Sequence, residues 1–268
     1  MDDRLARERD FYDACNRRLE EYGAGRYYAV TAASRACFRR WLTADVSGRR
    51  VLEFGCGPGS CSFELARRGA IVTGIDISAE AIRRATEKAE REGLAHASFR
   101  VMNAEALDFA DESFDLICGI AILHHLALAP AFEELARTLR PDGRAVFIEP
   151  LGHNPLINLY RRLTPELRTR DEHPLRAADL RLARRFFGRV EVRCFHFFSL
   201  LAVPWRRSRW FAAALRRLDR LDQAVLSAWP ALGRYYWTCV IRLEQPLRSP
   251  RGRTGTGGSA DRPVTQAG

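Results

Sequence analysis

Three observations predict an α/β fold built on a doubly wound, mostly parallel sheet. Short apolar runs alternate with helix-length amphipathic stretches from Arg50 to Glu149, which indicates parallel strands covered on both faces. A glycine-rich turn, Gly55 to Gly59, follows the first of those runs directly. The 268 residues are 47% hydrophobic and 28% charged, which excludes wholesale disorder and collagen-like or coiled-coil architectures. One large domain with additions fits that length better than two independent folds.

The elements justify themselves in order. From Asp2 to about Leu42 the pattern is helical: Leu5, Phe11, Cys15 and Leu19 form one stripe, Gly23 and Gly25 break it, and a second helix runs through Phe38 and Trp41. Strands follow at Arg50–Phe54, Ala70–Ile75, Ser98–Met102, Phe114–Gly119 and Arg144–Glu149, with helices at Ser60–Arg68, Ala79–Arg91 and Pro130–Leu139. Ser78 is an N-cap candidate, and Pro141-Asp142-Gly143 supplies a turn. Residues 151–176 lack clean periodicity, Ala177–Phe186 reads as helix, and Arg189–Phe198 and Tyr235–Leu243 read as the last two of seven strands. Between those two lies an insertion of about 35 residues, long for a hairpin connection. It carries an amphipathic helix near Ser208–Ala228. The organisation expected is a helical cap (1–44), a core (45–150), an acceptor-side lid with the last strands and the insertion (151–248), and a disordered tail rich in Gly, Pro, Ser and Thr (249–268).

Charge is unevenly placed. The net +10 resembles a nucleic-acid signature, yet residues 45–150 hold 12 basic and 17 acidic side chains, whereas 161–220 hold 16 Arg and 6 acids. Lys88 is the one lysine, so the arginine excess reads first as composition bias. Seven scattered cysteines without a CxxC pair disfavour a disulfide framework and a zinc site, and a reducing cytosol fits them. Neither a signal peptide nor a run of 18 apolar residues occurs, so a cytoplasmic protein is expected.

The chemistry concentrates in four blocks. In VLEFGCGPG, Val51 to Gly59, a buried strand runs into Gly55, Gly57 and Gly59, where a ligand can approach the backbone without a Cβ in the way. The spacing is G-x-G-x-G, not the G-x-G-x-x-G of a dinucleotide site, and Glu53 before it would oppose a pyrophosphate but suit an ammonium group. Asp76 ends the second strand, where a carboxylate can accept both hydroxyls of a ribose. NAEAL, Asn103 to Leu107, follows the third strand and can meet an adenine edge; FDLICGIAILHHL, Phe114 to Leu126, closes the row.

The order of these blocks resembles class I S-adenosylmethionine-dependent methyltransferases with a small-molecule type core, of the methyltransferase type 11-like kind, over about residues 48–150. The resemblance implies a Rossmann-like sheet and S-adenosyl-L-methionine as cofactor. It places Glu53, Gly55, Cys56, Gly57 and Gly59 against the methionine moiety, Asp76 and Ile77 at the ribose, and Asn103, Ala104 and Glu105 on the adenine side. Asn103 departs from the commoner Asp, but its amide oxygen can still accept from the adenine amino group. His124 and His125 are adjacent, are expected to point apart, and have no evident third ligand; they read as scaffold, with no metal expected.

The acceptor region expected is Glu149 to Leu175, restrained by prolines at 150, 155, 165 and 174. His153, His173 and Tyr160 are its candidate catalytic residues, and Asn154, Arg161, Arg168 and Glu172 its candidate substrate-binding residues. A self-satisfied polar lid is the bland alternative. In the insertion, Phe211, Leu215, Leu218, Val225 and Trp229 share one helix face, with Arg209, Arg216 and Arg220 on another. That pattern suits an intramolecular lid, or contact of residues 200–229 with an anionic bilayer surface. The expected function is methyl transfer to a small apolar or amphipathic acceptor: a lipid, isoprenoid or secondary metabolite. RNA methylation and a catalytically silent S-adenosylmethionine-binding scaffold are the rivals; the first lacks an Asn-Pro-Pro-Tyr-like block.

Overall fold

The computed structural model describes residues 3–18, 27–59, 61–165 and 171–248. One seven-stranded sheet organises them: β1 (Arg50–Phe54), β2 (Ile71–Asp76), β3 (Ala97–Val101), β4 (Phe114–Ile120), β5 (Leu139–Pro150), β6 (Phe187–Phe195) and β7 (Thr238–Pro246). Their order is β3-β2-β1-β4-β5-β7-β6, with β7 antiparallel to both neighbours and every other pairing parallel. The carboxyl ends of β1, β2, β4, β5 and β6 therefore share one end of the sheet, where ligands bind in open parallel sheets.

The apolar runs are buried on both faces, with the two-residue period of a strand. Leu52, Phe54, Ile117 and Phe147 face α5 (Leu128–Thr138), which contributes Phe132 and Leu135. Val51, Val72, Leu116 and Val146 face the other layer, where α2 (Ala32–Leu42) contributes Phe38 and Trp41 and α3 (Ser62–Arg67) contributes Leu65. The helix α4 (Ala79–Arg91) has the predicted bounds, and Ser78 Oγ caps it by accepting from Ala81 N at 3.1 Å. The helix α1 (Asp3–Arg18) lies across the end of the sheet. Leu19, Gly23, Gly25 and the tail 249–268 lie outside the described residues, as does Arg168.

Three departures from the expected elements have local causes. Pro141-Asp142-Gly143 lies within β5 where its register shifts: Phe114 pairs with Leu139, but Leu116 pairs with Arg144. The aperiodic stretch after β5 contains α6 (Pro155–Leu163), too short to show a full apolar period but started by Asn154 as N-cap with Pro155 in the first turn. The strand β6 stops at Phe195, because His196 adopts φ 72° and turns the chain into a 3₁₀ helix, Phe198–Trp205. After α7 (Ala177–Leu182) and β6, the insertion adds α8 (Phe211–Ala228) and a second 3₁₀ turn, Pro230–Tyr235. The buried Asp222 carboxylate binds this insertion together by accepting from the backbone N–H groups of Phe197, Phe198 and Ser199.

Candidate active site

The glycine loop is shaped from beneath and open above. Glu53, fully buried, accepts from Cys61 N at 2.9 Å, Ser62 N at 2.7 Å and Ser62 Oγ at 2.5 Å, fixing the start of α3. The carboxylate thus sets the loop-to-helix junction from beneath the glycine loop. A Cβ on Gly57 would meet nothing within 4 Å, whereas one on Gly59 would overlap the Phe63 ring. Gly57 is therefore the cradle and Gly59 the packing position. Cys56 lies buried under the loop, and burial with the nearby Glu53 and Asp76 charges pushes its thiol up, so it is an apolar wall and not a nucleophile.

Asp76 ends β2 beside that cradle. Its Oδ2 accepts from Gly57 N and its Oδ1 from Ser78 N, both at 2.8 Å, and desolvation raises its pKa above the ordinary carboxylate value. Ile77 follows it in the turn to α4. On the next strand end, Asn103 Oδ1 accepts from Glu105 N at 3.0 Å, and Ala104 is buried. The three strand ends thus place the predicted cofactor residues along one edge.

The helix α1 ties this edge to the opposite side. Arg4 donates to Glu105 Oε1 at 2.5 Å and to the His125 carbonyl at 2.6 Å. Asp13 Oδ1 accepts from Ser78 Oγ at 2.5 Å, and Arg7 makes a paired contact to Asp171 at 2.9 and 3.0 Å. Sequence periodicity revealed the helix but not these partners, which are up to 164 positions away.

Beside the cofactor edge opens a cavity of about 990 Å³, lined by Tyr12, His124, His125, Tyr160, Arg161 and Glu172 among others. The two histidines do not point apart. Their ring centroids are 4.1 Å apart, and both rings face this cavity, because Leu123–His125 forms a tight 3₁₀ turn. His124 Nδ1 lies 2.7 Å from Glu149 Oε2; Glu149 is in turn held by Ile122 N at 2.9 Å and Leu123 N at 2.8 Å. Donation from His124 Nδ1–H to Glu149 leaves the lone pair on Nε2, 3.8 Å from Glu172 Oε1. Burial and the neighbouring His125 lower the His124 pKa more than Glu149 and Glu172 raise it, so the ring is neutral at pH 7. His125 Nε2 lies 3.0 Å from the Tyr12 hydroxyl.

The remaining acceptor-side candidates divide. Tyr160, Arg161 and Glu172 line the cavity, and Arg161 holds Glu172 at 2.7 Å. Asn154 does not belong there: buried, it caps α6 through Oδ1 and donates from Nδ2 to the Tyr235 carbonyl at 2.8 Å, so both amide atoms serve the fold. His153, in the turn before α6, is not among the lining residues. His173 is exposed, and its backbone N–H donates to the His124 carbonyl at 3.0 Å. His124, His125 and Glu172 do bring metal-type donor atoms within 4.8 Å of one another, a third donor that the sequence did not disclose. Arg161 donates to Glu172 Oε1, the same carboxylate oxygen that lies 3.8 Å from His124 Nε2.

A sheet of this order with its one reversed strand, a glycine loop after β1 and an acid at the end of β2 make a Rossmann-like fold. Residues 51–143 match the family model described as a methyltransferase domain. Over 128 residues the chain is 36% identical to a ubiquinone biosynthesis O-methyltransferase of Cereibacter sphaeroides, covering 47% of this chain and 51% of that one. Over 114 residues it is 35% identical to an aklanonic acid methyltransferase of a Streptomyces species, covering 41% and 52%. The chain thus spans about half the length of the curated relatives it matches. Among solved structures, Haemonchus contortus phosphoethanolamine N-methyltransferase 2 with S-adenosyl-L-methionine aligns at TM-score 0.61 and 18% identity, over 88% of this chain and 59% of that one. Geranyl diphosphate C-methyltransferase from Streptomyces coelicolor A3(2) aligns at TM-score 0.57 and 17% identity, over 80% and 79%. These two show the shared fold.

Proposed function

We propose that the protein transfers a methyl group from S-adenosylmethionine to a hydroxyl of a small apolar or amphipathic acceptor bound in the cavity. One observation carries the reading: a histidine held by a buried carboxylate faces the cavity at the same sheet end as the glycine cradle and Asp76. The open space above Gly57 and the adjacent Asp76 carboxylate fit the nucleoside, with Asp76 toward the ribose and Asn103 toward the adenine.

Bound S-adenosylmethionine supplies an electrophilic methyl on a sulfonium that leaves as a neutral thioether. The chain's own part is alignment, exclusion of water and removal of one proton. His124 Nε2 would take the proton of an acceptor hydroxyl aligned in the cavity. Glu149 fixes the tautomer and steadies the imidazolium. Tyr160 and the Arg161–Glu172 pair orient polar parts of the acceptor, while Phe11, Ile120, Ile157 and Trp237 give the cavity an apolar wall. The curated relatives named for methylation in ubiquinone and aklanonic acid pathways support a small-molecule acceptor of this kind.

The test offers metabolite and lipid extracts together with methyl-labelled cofactor and searches for products heavier by one labelled methyl. Turnover with release of S-adenosylhomocysteine is expected. Cofactor binding without any turnover would favour a silent scaffold. Replacing Asp76 by Ala should weaken cofactor binding about 100-fold or more, since two charge-assisted hydrogen bonds at roughly 1.5–3 kcal/mol each are lost. Unchanged calorimetric affinity would refute the pocket assignment.

A further inference from the structure

The five tryptophans divide sharply. Trp41 and Trp237 are each 7% exposed in the cores, whereas Trp205, Trp210 and Trp229, all in the insertion, are 62–65% exposed. Leu201, Leu221 and Leu232 of the same segment are exposed as well. The predicted apolar face of α8 accounts for one of them: Leu215 packs with Leu200, Val203 and Ile157, and Phe211 and Leu218 lie against that core, so the first half of this face is covered from within, whereas Trp229 at its far end is exposed. The outward face is a second one, on which Trp210, Arg217 and Leu221 align at helical spacing.

The arginines of this segment behave differently from those elsewhere. Many described arginines in the rest of the chain pair with carboxylates. Arg206, Arg207, Arg209, Arg216, Arg217 and Arg220 form no ion pair among the described residues, and Arg209 stacks on the Trp210 ring instead. Of the two acids on α8, Asp222 is engaged by the three N–H groups of the 3₁₀ helix, and Asp219 is turned to Ser199. Six arginines against two carboxylates leave a net cationic field around the exposed indole and leucine side chains.

The helix α6 extends the same surface. Leu156, Leu159 and Leu163 recur at spacings of three and four, and each is more than half exposed. Ile157 of α6 joins the small core that holds the 3₁₀ helix and α8. From its inner side α6 gives Ile157, Tyr160 and Arg161 to the acceptor cavity.

We propose that the outer faces of α6, the Phe198–Trp205 helix and α8 form one docking surface for an anionic lipid bilayer, and that the acceptor enters the cavity from that bilayer past α6. The proposal deepens the reading of the cavity as an acceptor site and rests on it for the route, though not for the binding itself. Indoles at headgroup depth flanked by arginines match the chemistry of an anionic interface. No helix among the described residues is long and apolar enough to cross a membrane, so the attachment is to one leaflet.

The experiment is co-sedimentation of the full chain with vesicles of phosphatidylcholine alone and of phosphatidylcholine with phosphatidylglycerol, across a salt series. Binding to the anionic vesicles that weakens steeply with salt, with little binding to the neutral ones, is expected. The double variant Trp205→Ala, Trp210→Ala should bind at least about tenfold more weakly. The variant Leu159→Ser, Leu163→Ser should also bind more weakly. Thermal unfolding should be unchanged in both, because the residues replaced are exposed. Absence of binding to either vesicle, or anionic binding that ignores both variants, overturns the surface. Tighter binding to single-stranded RNA than to anionic vesicles, lost with the same tryptophans, overturns the lipid partner. Cofactor affinity measured on the same preparations separates the two proposals: intact affinity with no vesicle binding defeats this one alone.

Discussion

At the scale of single residues, the loop glycines do different work that a substitution can separate. Gly57 has φ 53° and open space above it, so Gly57→Ala adds a methyl into the cofactor cradle at a backbone cost of about 1–2 kcal/mol. Gly59→Ala drives a Cβ into the Phe63 ring and should unfold several degrees lower still. Calorimetric affinity and melting temperature read the contrast: the first variant loses binding more than stability, the second both. His124 gives a second test. Its pKa is lowered by burial, so the turnover rate should rise with pH through a value below 6.5 and level off by neutrality. Glu149→Gln removes the group that raises that pKa, which should move the rising limb to lower pH while slowing turnover. His124→Gln should flatten the limb and cost about 100-fold or more. A limb that stays in place in both variants would assign the proton to another group.

At the scale of elements, cofactor-side blocks were legible because each is a contiguous run with its own local rule: strand, glycine turn, cap, acid. The acceptor side was less so. Asn154 and Glu172 are equally polar in the sequence, yet one serves a helix cap and the other the cavity, a difference set by tertiary placement. The pairing of His124 with Glu149 spans 25 positions, and only the parallel pairing of β4 and β5 brings them together. The one local signal was LHH closing one strand and EP closing the next. The clamp made by α1 was invisible for the same reason. If Arg4 fastens it, Arg4→Ala should speed cofactor dissociation in stopped-flow measurements several-fold while leaving the melting temperature near that of the parent. His196 gives this level a stability test. Buried between Ser34 Oγ at 2.8 Å and Ser199 Oγ at 3.2 Å, it has its pKa lowered to about 3 by desolvation. The unfolded chain takes up this proton first, so the stabilisation is full above about pH 6.5 and is lost as pH falls toward 3, at about 1.4 kcal/mol per pH unit. His196→Asn, which tolerates the positive φ, should remove that slope in urea titrations at pH 7 and pH 5. Parallel slopes would exclude His196 as its source.

At the scale of the whole molecule, the charge asymmetry noted in the sequence acquires a location. The acidic core carries the glycine loop and the strand ends beside the cavity, and the arginine-rich segment includes the face proposed to meet lipid. Raising salt should therefore depress turnover of a vesicle-borne acceptor far more than of a detergent-dispersed one. Cofactor affinity should change little. The reversal of β7 has a consequence for how such a protein can diversify. Because that strand runs backward between two forward ones, the connection leading into it must open at the sheet end that carries the glycine loop and the cavity. The 3₁₀ helix and α8 inserted in that hairpin connection pack on Val30, Ile157 and Trp237. Exchanging residues 197–236 between homologous scaffolds should therefore trade clientele and whereabouts together, leaving the donor untouched.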